Sequence, residues 1–226
     1  ETENDHAPVR IYPSEQIIGC KQILNIPSAQ IKSAILLAAL YANSDTIVIY
    51  NSITRNHTEL MLESFGCPIS LNDSQIKIKN GELKGRDAIT VPGDFSSAAF
   101  FLVAATVVPG SRIELHGVGM NPTRTGLLDI LQSMGAKIQI KNSRIEAGEP
   151  VSDLVSESSN LYGVDVGSEL VSRTIDEFPV LSIAAAHAKG VTRISGAEEL
   201  RLKESDRIAT VVAGLQSLGV VAIEQS

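Results

Sequence analysis

The chain contains no tryptophan, and its tyrosines and phenylalanines bring the aromatic share to only 4%. A protein that stacks single-stranded nucleic acid needs a row of aromatic faces, so this scarcity argues against that class. A basic excess is missing as well: the formal net charge is −7 at pH 7, with no basic tail. Such a balance repels duplex phosphates and anionic lipid headgroups, and neither nucleic acid nor a membrane is expected as a partner. Long apolar runs are also lacking. The longest, Ala98–Val108 interrupted by Thr106, is far short of the ~20 residues that cross a bilayer. Cysteine is down to Cys20 and Cys67, with neither metal-ligand spacing nor a disulfide framework. Two free thiols fit a reducing compartment, which makes a cytoplasmic location the expectation. The polar start E-T-E-N-D-H is no secretory signal, and its lack of Met leads us to expect a processed or excised chain.

What is present is ample material for a core: 226 residues, 43% hydrophobic and 20% charged. That suffices for one large or two small domains. One order of events is written three times. An Ala-rich apolar stretch comes first: S-A-Q-I-K-S-A-I-L-L-A-A-L, then G-D-F-S-S-A-A-F-F-L-V-A-A, then D-E-F-P-V-L-S-I-A-A-A-H-A. A short strand-like segment and a polar loop follow each, then an amphipathic helix, a glycine and a closing strand. The first helix of each copy is apolar nearly all round, as a helix packed inside a domain is. Ser28, Asp94 and Asp176 stand where an N-cap belongs. The second helix carries apolar residues at three- and four-residue steps, among them Leu60, Met61 and Phe65, or Leu127, Leu128, Leu131 and Met134. It ends at Gly66, Gly135 or Gly219, the residue that tolerates a left-handed backbone.

The repeat aligns a charge too. Arg55 and Arg124 each lie 11 residues before their glycine, and Arg207 lies 12 before Gly219. An arginine at the start of each second helix, where backbone N–H groups and the dipole already favour anions, reads as an anion-facing rim. In E-L-R-L-K-E-S-D-R the cations Lys203 and Arg207 sit four apart, a spacing at which like charges on one helix face repel. Bound anions would resolve that conflict. Glu204 and Asp206, interleaved with these cations, could serve acid–base chemistry on an anionic substrate. Gln30 is a polar side chain in an apolar helix and demands a hydrogen-bond partner, while Ser28, Ser96 and Ser97 are explained as helix caps. No Walker or dinucleotide fingerprint, metal cluster or nucleophile elbow occurs. Turn residues at Val91-Pro92-Gly93 mark a boundary, which divides the chain into 1–91 and 92–226. A further irregular stretch, 147–174, should hold extra strands, one of them L-Y-G-V-D-V, and a surface loop.

The motifs P-S-A-Q-I-K-S-A, T-R-N-H-T-E-L, G-D-F-S-S-A-A, N-P-T-R-T-G, I-D-E-F-P-V-L and E-L-R-L-K-E-S-D-R, in this order, closely resemble the 5-enolpyruvylshikimate-3-phosphate synthase family. The resemblance implies an α/β fold of enolpyruvyl transferase type, with buried parallel helices flanked by mixed sheets. Three of the family's six repeat units would be present: the last of the first domain in 1–91 and two of the second in 92–226. It implies transfer of the carboxyvinyl group of phosphoenolpyruvate to the 5-hydroxyl of shikimate 3-phosphate, with release of phosphate and no metal or organic cofactor. Carried over by position, Ser28, Ala29 and Gln30 match shikimate-3-phosphate ligands, with Gln30 also reaching phosphoenolpyruvate. Arg55 and Lys203 match further shikimate-phosphate contacts, and Arg207 a phosphoenolpyruvate ligand. Asp176 matches the acceptor of the 5-hydroxyl proton, and Glu204 the acid handling protons at the methylene carbon. Two trianionic reactants must be held together, which accounts for clustered Arg and Lys in an acidic chain.

The family's N-terminal Lys/Ser/Arg segment, Gly-rich loop and C-terminal D-H-R and Lys segments have no match here, so the chain alone is expected to be inactive. Its exposed helix faces would favour self-association, whereas the complete enzyme is expected to be monomeric. Two rival readings are a non-catalytic half-domain binding module and the related UDP-N-acetylglucosamine enolpyruvyl transferase. I-D-E-F-P and K-E-S-D-R favour the shikimate branch over the latter.

Overall fold

Each copy of Leu-Glu/Gln-Ser-x-Gly ends a helix in the same way. The N–H of Gly66, Gly135 and Gly219 returns to the carbonyl of Glu63, Gln132 and Gln216, at 2.9, 3.0 and 3.0 Å. The next N–H, of Cys67, Ala136 and Val220, reaches Leu62, Leu131 and Leu215 at 2.9, 2.9 and 3.0 Å. These are three Schellman motifs, and each requires its glycine at positive φ: +78°, +95° and +80°. The computed structural model describes residues 6–72 and 74–225. It divides into two compact units, Glu1–Asp87 and Ala88–Ser226.

The first unit runs β1 (Lys21–Leu24), α1 (Ala29–Ala39), β2 (Thr46–Tyr50), α2 (His57–Ser64), β3 (Ile69–Asn72) and β4 (Gln75–Ile78). Its sheet has the order β1-β2-β4-β3, with β1 parallel to β2 and the other pairs antiparallel. Leu24, Leu36, Ala39, Val48, Leu62, Cys67, Ile76 and Ile78 form its core. The stripe α2 buries is Glu59 and Leu62. Met61, expected on that stripe, is exposed. Helix α1 also departs from expectation, because it buries only Lys32, Leu36 and Ala39 while Ile31 and Leu37 stay about half exposed.

The second unit holds α3 (Phe95–Val107), β5 (Arg112–Gly119), α4 (Gly126–Ser133), β6 (Lys137–Glu146) and β7 (Glu149–Glu157). It continues with β8 (Asp165–Val166), α5 (Ser168–Ser172), α6 (Phe178–His187), β9 (Arg193–Ile194), a 3-10 segment Glu198–Leu202 and α7 (Arg207–Ser217). One antiparallel sheet has the order β5-β7-β6, and β8 pairs parallel with β9. The expected repeat is thus mixed α/β. Each copy also has an opening extended element, foreseen only in the third, within L-Y-G-V-D-V. An extended segment before the apolar helix pairs in parallel with the strand after it: β1 with β2, Gly93 with Val118, and β8 with β9.

Helices α3, α4 and α6 share one core, to which α4 contributes Leu127, Leu128 and Leu131, with Met134 just past its end. Each side chain buried there stabilises by roughly 1.5–3 kcal/mol. The stretch 147–174 contains β7 and β8 as foreseen, and also the unforeseen α5. The segment 220–223, expected as the third copy's closing strand, is not one. No described strand pairs with it, and an extended segment without a partner leaves its ladder unmade.

Candidate functional site

Helix α1 begins at the Ser-Ala-Gln triplet because Ser28 is its N-cap. The Ser28 hydroxyl accepts from the N–H of Ile31 at 3.3 Å. Ala29 is then the first helical residue, and Gln30 stands exposed at the second. The buried-amide problem expected for Gln30 therefore does not arise, since water is available to it. Arg55 precedes Asn56, the N-cap of α2, and is partly buried. His57 opens the helix itself.

Two contacts tie the first turn of α2 to α1. Ser33 Oγ lies 2.6 Å from Thr58 Oγ1, and the Lys32 ammonium lies 2.5 Å from Glu59 Oε1. Both members of that ion pair are only 3% exposed, and Lys32 also sits 5.6 Å from the centroid of the Tyr50 ring. The clamp holds the first turn of α2 against α1, and a helix N-terminus favours anions through its backbone N–H groups and dipole. The pair's sequence signal was a lysine inside an otherwise apolar helix, four residues after Ser28.

In the second unit the structure brings Asp176, Glu204 and Arg207 together. One guanidinium faces both acids: Arg207 Nη2 is 3.0 Å from Glu204 Oε2, and Nη1 is 3.6 Å from Asp176 Oδ1. Arg207 is the first residue of α7, whose N-cap is Asp206, accepting from the N–H of Ala209 at 3.0 Å. That hydrogen bond, with the Arg201 guanidinium 2.9 Å away, holds the Asp206 carboxyl below its ordinary range. Glu204 is also lowered, first by its own backbone N–H and then by Arg207. At neutral pH the Glu204 side chain, 84% exposed, is thus a carboxylate.

The Lys203–Arg207 conflict dissolves. Lys203 caps the 3-10 segment in an extended conformation and Arg207 starts a different helix, so they share no helix face. Lys203 instead pairs with Glu199 at 2.5 Å. Each cation thus has an acid of this chain as its partner, and such exposed pairs are worth at most about 1 kcal/mol. Among the described residues no cluster of His, Cys, Asp or Glu could hold a metal ion.

Two expectations fail at the start of the apolar helices. Asp176 does not cap α6; it lies in the turn 173–177, and Glu177 is the residue at the N-cap position. Pro179 near the start of α6 supplies the preset φ there, and Glu177 makes no side-chain cap bond. Nor is Ser96 a cap. Asp94 fills that role for α3, accepting from the N–H and hydroxyl of Ser97 at 2.8 and 3.0 Å. Burial pushes the Asp94 carboxyl up, but these bonds and the nearby Arg124 outweigh it and leave it lowered.

Ser96 turns inward and donates to the buried Glu177, while Arg124 Nη2 donates to Ser96 at 2.5 Å and lies 3.2 Å from Asp94. The second repeat's arginine is thus engaged with Asp94 and Ser96, as Arg207 is with Asp176 and Glu204. Sequence reasoning missed this cluster because Ser96 and Glu177 are 81 residues apart.

The family model described as "EPSP synthase (3-phosphoshikimate 1-carboxyvinyltransferase)" matches residues 1–226. A 3-phosphoshikimate 1-carboxyvinyltransferase of Geotalea uraniireducens is 49% identical over 220 residues, covering 97% of this chain and 51% of that protein. Another, from Alkalilimnicola ehrlichii, is 51% identical over 220 residues, covering 97% of this chain and 49% of that one. The solved EPSP synthase of Acinetobacter baumannii superposes with a TM-score of 0.88 at 42% identity, covering 97% of this chain and 49% of that structure. The chain spans about half the length of the curated relatives it matches.

Proposed function

The chain belongs to the EPSP synthase family, and on that footing we propose that it carries half of the machinery that transfers a carboxyvinyl group from phosphoenolpyruvate to the 5-hydroxyl of shikimate 3-phosphate. The observation that carries this reading furthest is the Asp176–Arg207–Glu204 arrangement, two carboxylates facing one guanidinium. The reaction needs a base for the attacking hydroxyl and an acid for the methylene carbon of the donor. Asp176 accepts the 5-hydroxyl proton as the oxygen bonds to the central vinyl carbon. Glu204 supplies a proton to the methylene. Glu204 then takes a proton back from the methyl group as the C–O bond to phosphate breaks and the double bond reforms, and the proton held by Asp176 leaves with the phosphate, so atoms and charge balance.

Arg207 holds phosphoenolpyruvate between these acids. In the first unit, Arg55 and the α1 start at Ser28, Ala29 and Gln30 serve as ligands of shikimate 3-phosphate; in the second, Lys203 serves as one. No cofactor is required. Residues 1–91 supply the last repeat of one domain and 92–226 two repeats of the other, in a complete enzyme that works as a cytoplasmic monomer.

The test mixes this chain with the complementary half of a complete family member and follows phosphate release. Release that needs both halves and both substrates is expected. Binding of shikimate 3-phosphate by the reconstituted pair without turnover would instead favour a non-catalytic binding module. A rise in melting temperature with a UDP amino sugar and none with shikimate 3-phosphate would move the assignment to the other branch.

A further inference from the structure

The turn 173–177, which presents Asp176, is fastened at both ends by residues of the preceding repeat. At its start Arg173 Nε donates to the Pro122 carbonyl at 2.6 Å, and Nη2 lies 2.8 Å from Asp129 Oδ2. The N–H of Gly126 reaches the Arg173 carbonyl at 3.3 Å. At its end stands Glu177, only 3% exposed, which receives the Ser96 hydroxyl proton. Ser96 in turn accepts from Arg124. The directions are forced. Arg124 can only donate, so Ser96 must accept from it and has one proton left, which it gives to Glu177.

Arg124 Nε is buried with no hydrogen-bond partner among the described residues. An unpaired buried donor costs stability, so the cluster is not what core packing alone would select. Between these two anchors Asp176 stands partly exposed, with its Oδ1 3.6 Å from Arg207.

We propose that Glu177, held by the Ser96–Arg124 relay, is a positioning residue that fixes Asp176 for proton acceptance; this rests on the function proposed above. The relay links Asp94 and Ser96 at the start of α3 and Arg124 before α4 to the turn before α6. Misplacing a reacting group by about 1 Å can lower a rate on the order of a hundredfold, and a relay that loses a hydroxyl permits such a shift.

The test uses a complete enzyme containing this chain. Ser96→Ala and Glu177→Gln should each lower kcat by roughly ten- to a hundredfold, with KM for phosphoenolpyruvate held within about twofold. Their combination should fall little below the worse single variant, as expected of residues acting through one path. Ser96→Thr, which keeps the hydroxyl, should recover most of the loss. If kcat stays within twofold of the parent, or if only melting temperature falls, the positioning role is wrong. Amide hydrogen exchange across 174–177, measured without substrates, separates the two hypotheses. Unchanged exchange in Ser96→Ala overturns the relay even if the parent proves to have a different activity, whereas a parent inactive on both substrates overturns only the reaction assignment.

Discussion

Glu204 is a carboxylate in the ligand-free chain, lowered by its own backbone N–H and by Arg207, yet the proposed chemistry asks it to deliver a proton. Substrate resolves this. When phosphoenolpyruvate takes Arg207, Glu204 loses a cation and gains an anion as neighbour, and both changes raise its pKa. Binding at mildly acidic pH should therefore take up protons that a Glu204→Gln variant does not, read by calorimetry in buffers of different ionisation enthalpy. The same substitution should cut turnover far more than it weakens shikimate-3-phosphate binding. Equal effects on both would return the stretch to an ordinary helix start. Gly126 offers a test of a different kind. A Cβ there would meet Thr174 Oγ1 at 2.3 Å and Arg173 Cβ at 2.9 Å. Gly126→Ala should destabilise the second unit by roughly 1–3 kcal/mol, seen as a lowered melting temperature. Adding Thr174→Ala removes the nearer obstacle and should restore part of the loss. The glycine of N-P-T-R-T-G thus serves the close approach of α4 to the turn that carries Asp176.

Among the elements, α1 and α2 are coupled by a pair that is costly to break singly. Lys32 and Glu59 are both buried, and Glu59 Oε2 has no hydrogen-bond partner among the described residues. Lys32→Met leaves a carboxyl stranded in the core and should cost about 3–5 kcal/mol, whereas Lys32→Met with Glu59→Leu should recover most of it. Urea midpoints of the three variants against the parent decide this, and a double variant as unstable as the single would contradict it. Lys32 was visible in the sequence as a charge in an apolar helix, but its partner was not, because the pair joins two elements. The same division runs through the whole fold. Features fixed by neighbouring residues could be read directly: the Ser28 and Asp94 caps, the three Schellman glycines, and the buried face of α4. Features fixed by distant partners could not. Ser96 was taken for a cap because its acceptor, Glu177, belongs to the next repeat. Asp176 was taken for a cap because the turn that displaces it is pinned by Pro122 and Asp129. Lys203 and Arg207 looked like neighbours on one helix until the chain broke between them.

At the scale of the molecule, several large apolar side chains are left bare. Helix α7 has a mixed apolar and polar sequence, R-I-A-T-V-V-A-G-L-Q-S, yet no residue of it is buried, and Leu218, Val221 and Ile223 beyond it are more than three-quarters exposed. Phe100 and Phe101 on α3 and Ile31 and Leu37 on α1 are about half exposed. Helix stability in proteins comes mainly from a packed face, so α7 should fray when the chain is studied alone, with rapid amide exchange across 207–217. Exposed apolar side chains also drive association. The isolated chain should therefore show a concentration-dependent mass in sedimentation. The remaining repeats of a complete family member should suppress that association and, in the same titration, slow exchange in α7. A chain that stays monomeric at high concentration with α7 fully protected would mean that this helix needs no further partner. The Arg207 at its first turn would then be ordered without the rest of the fold, and the expectation that the chain alone is inactive would lose its structural ground.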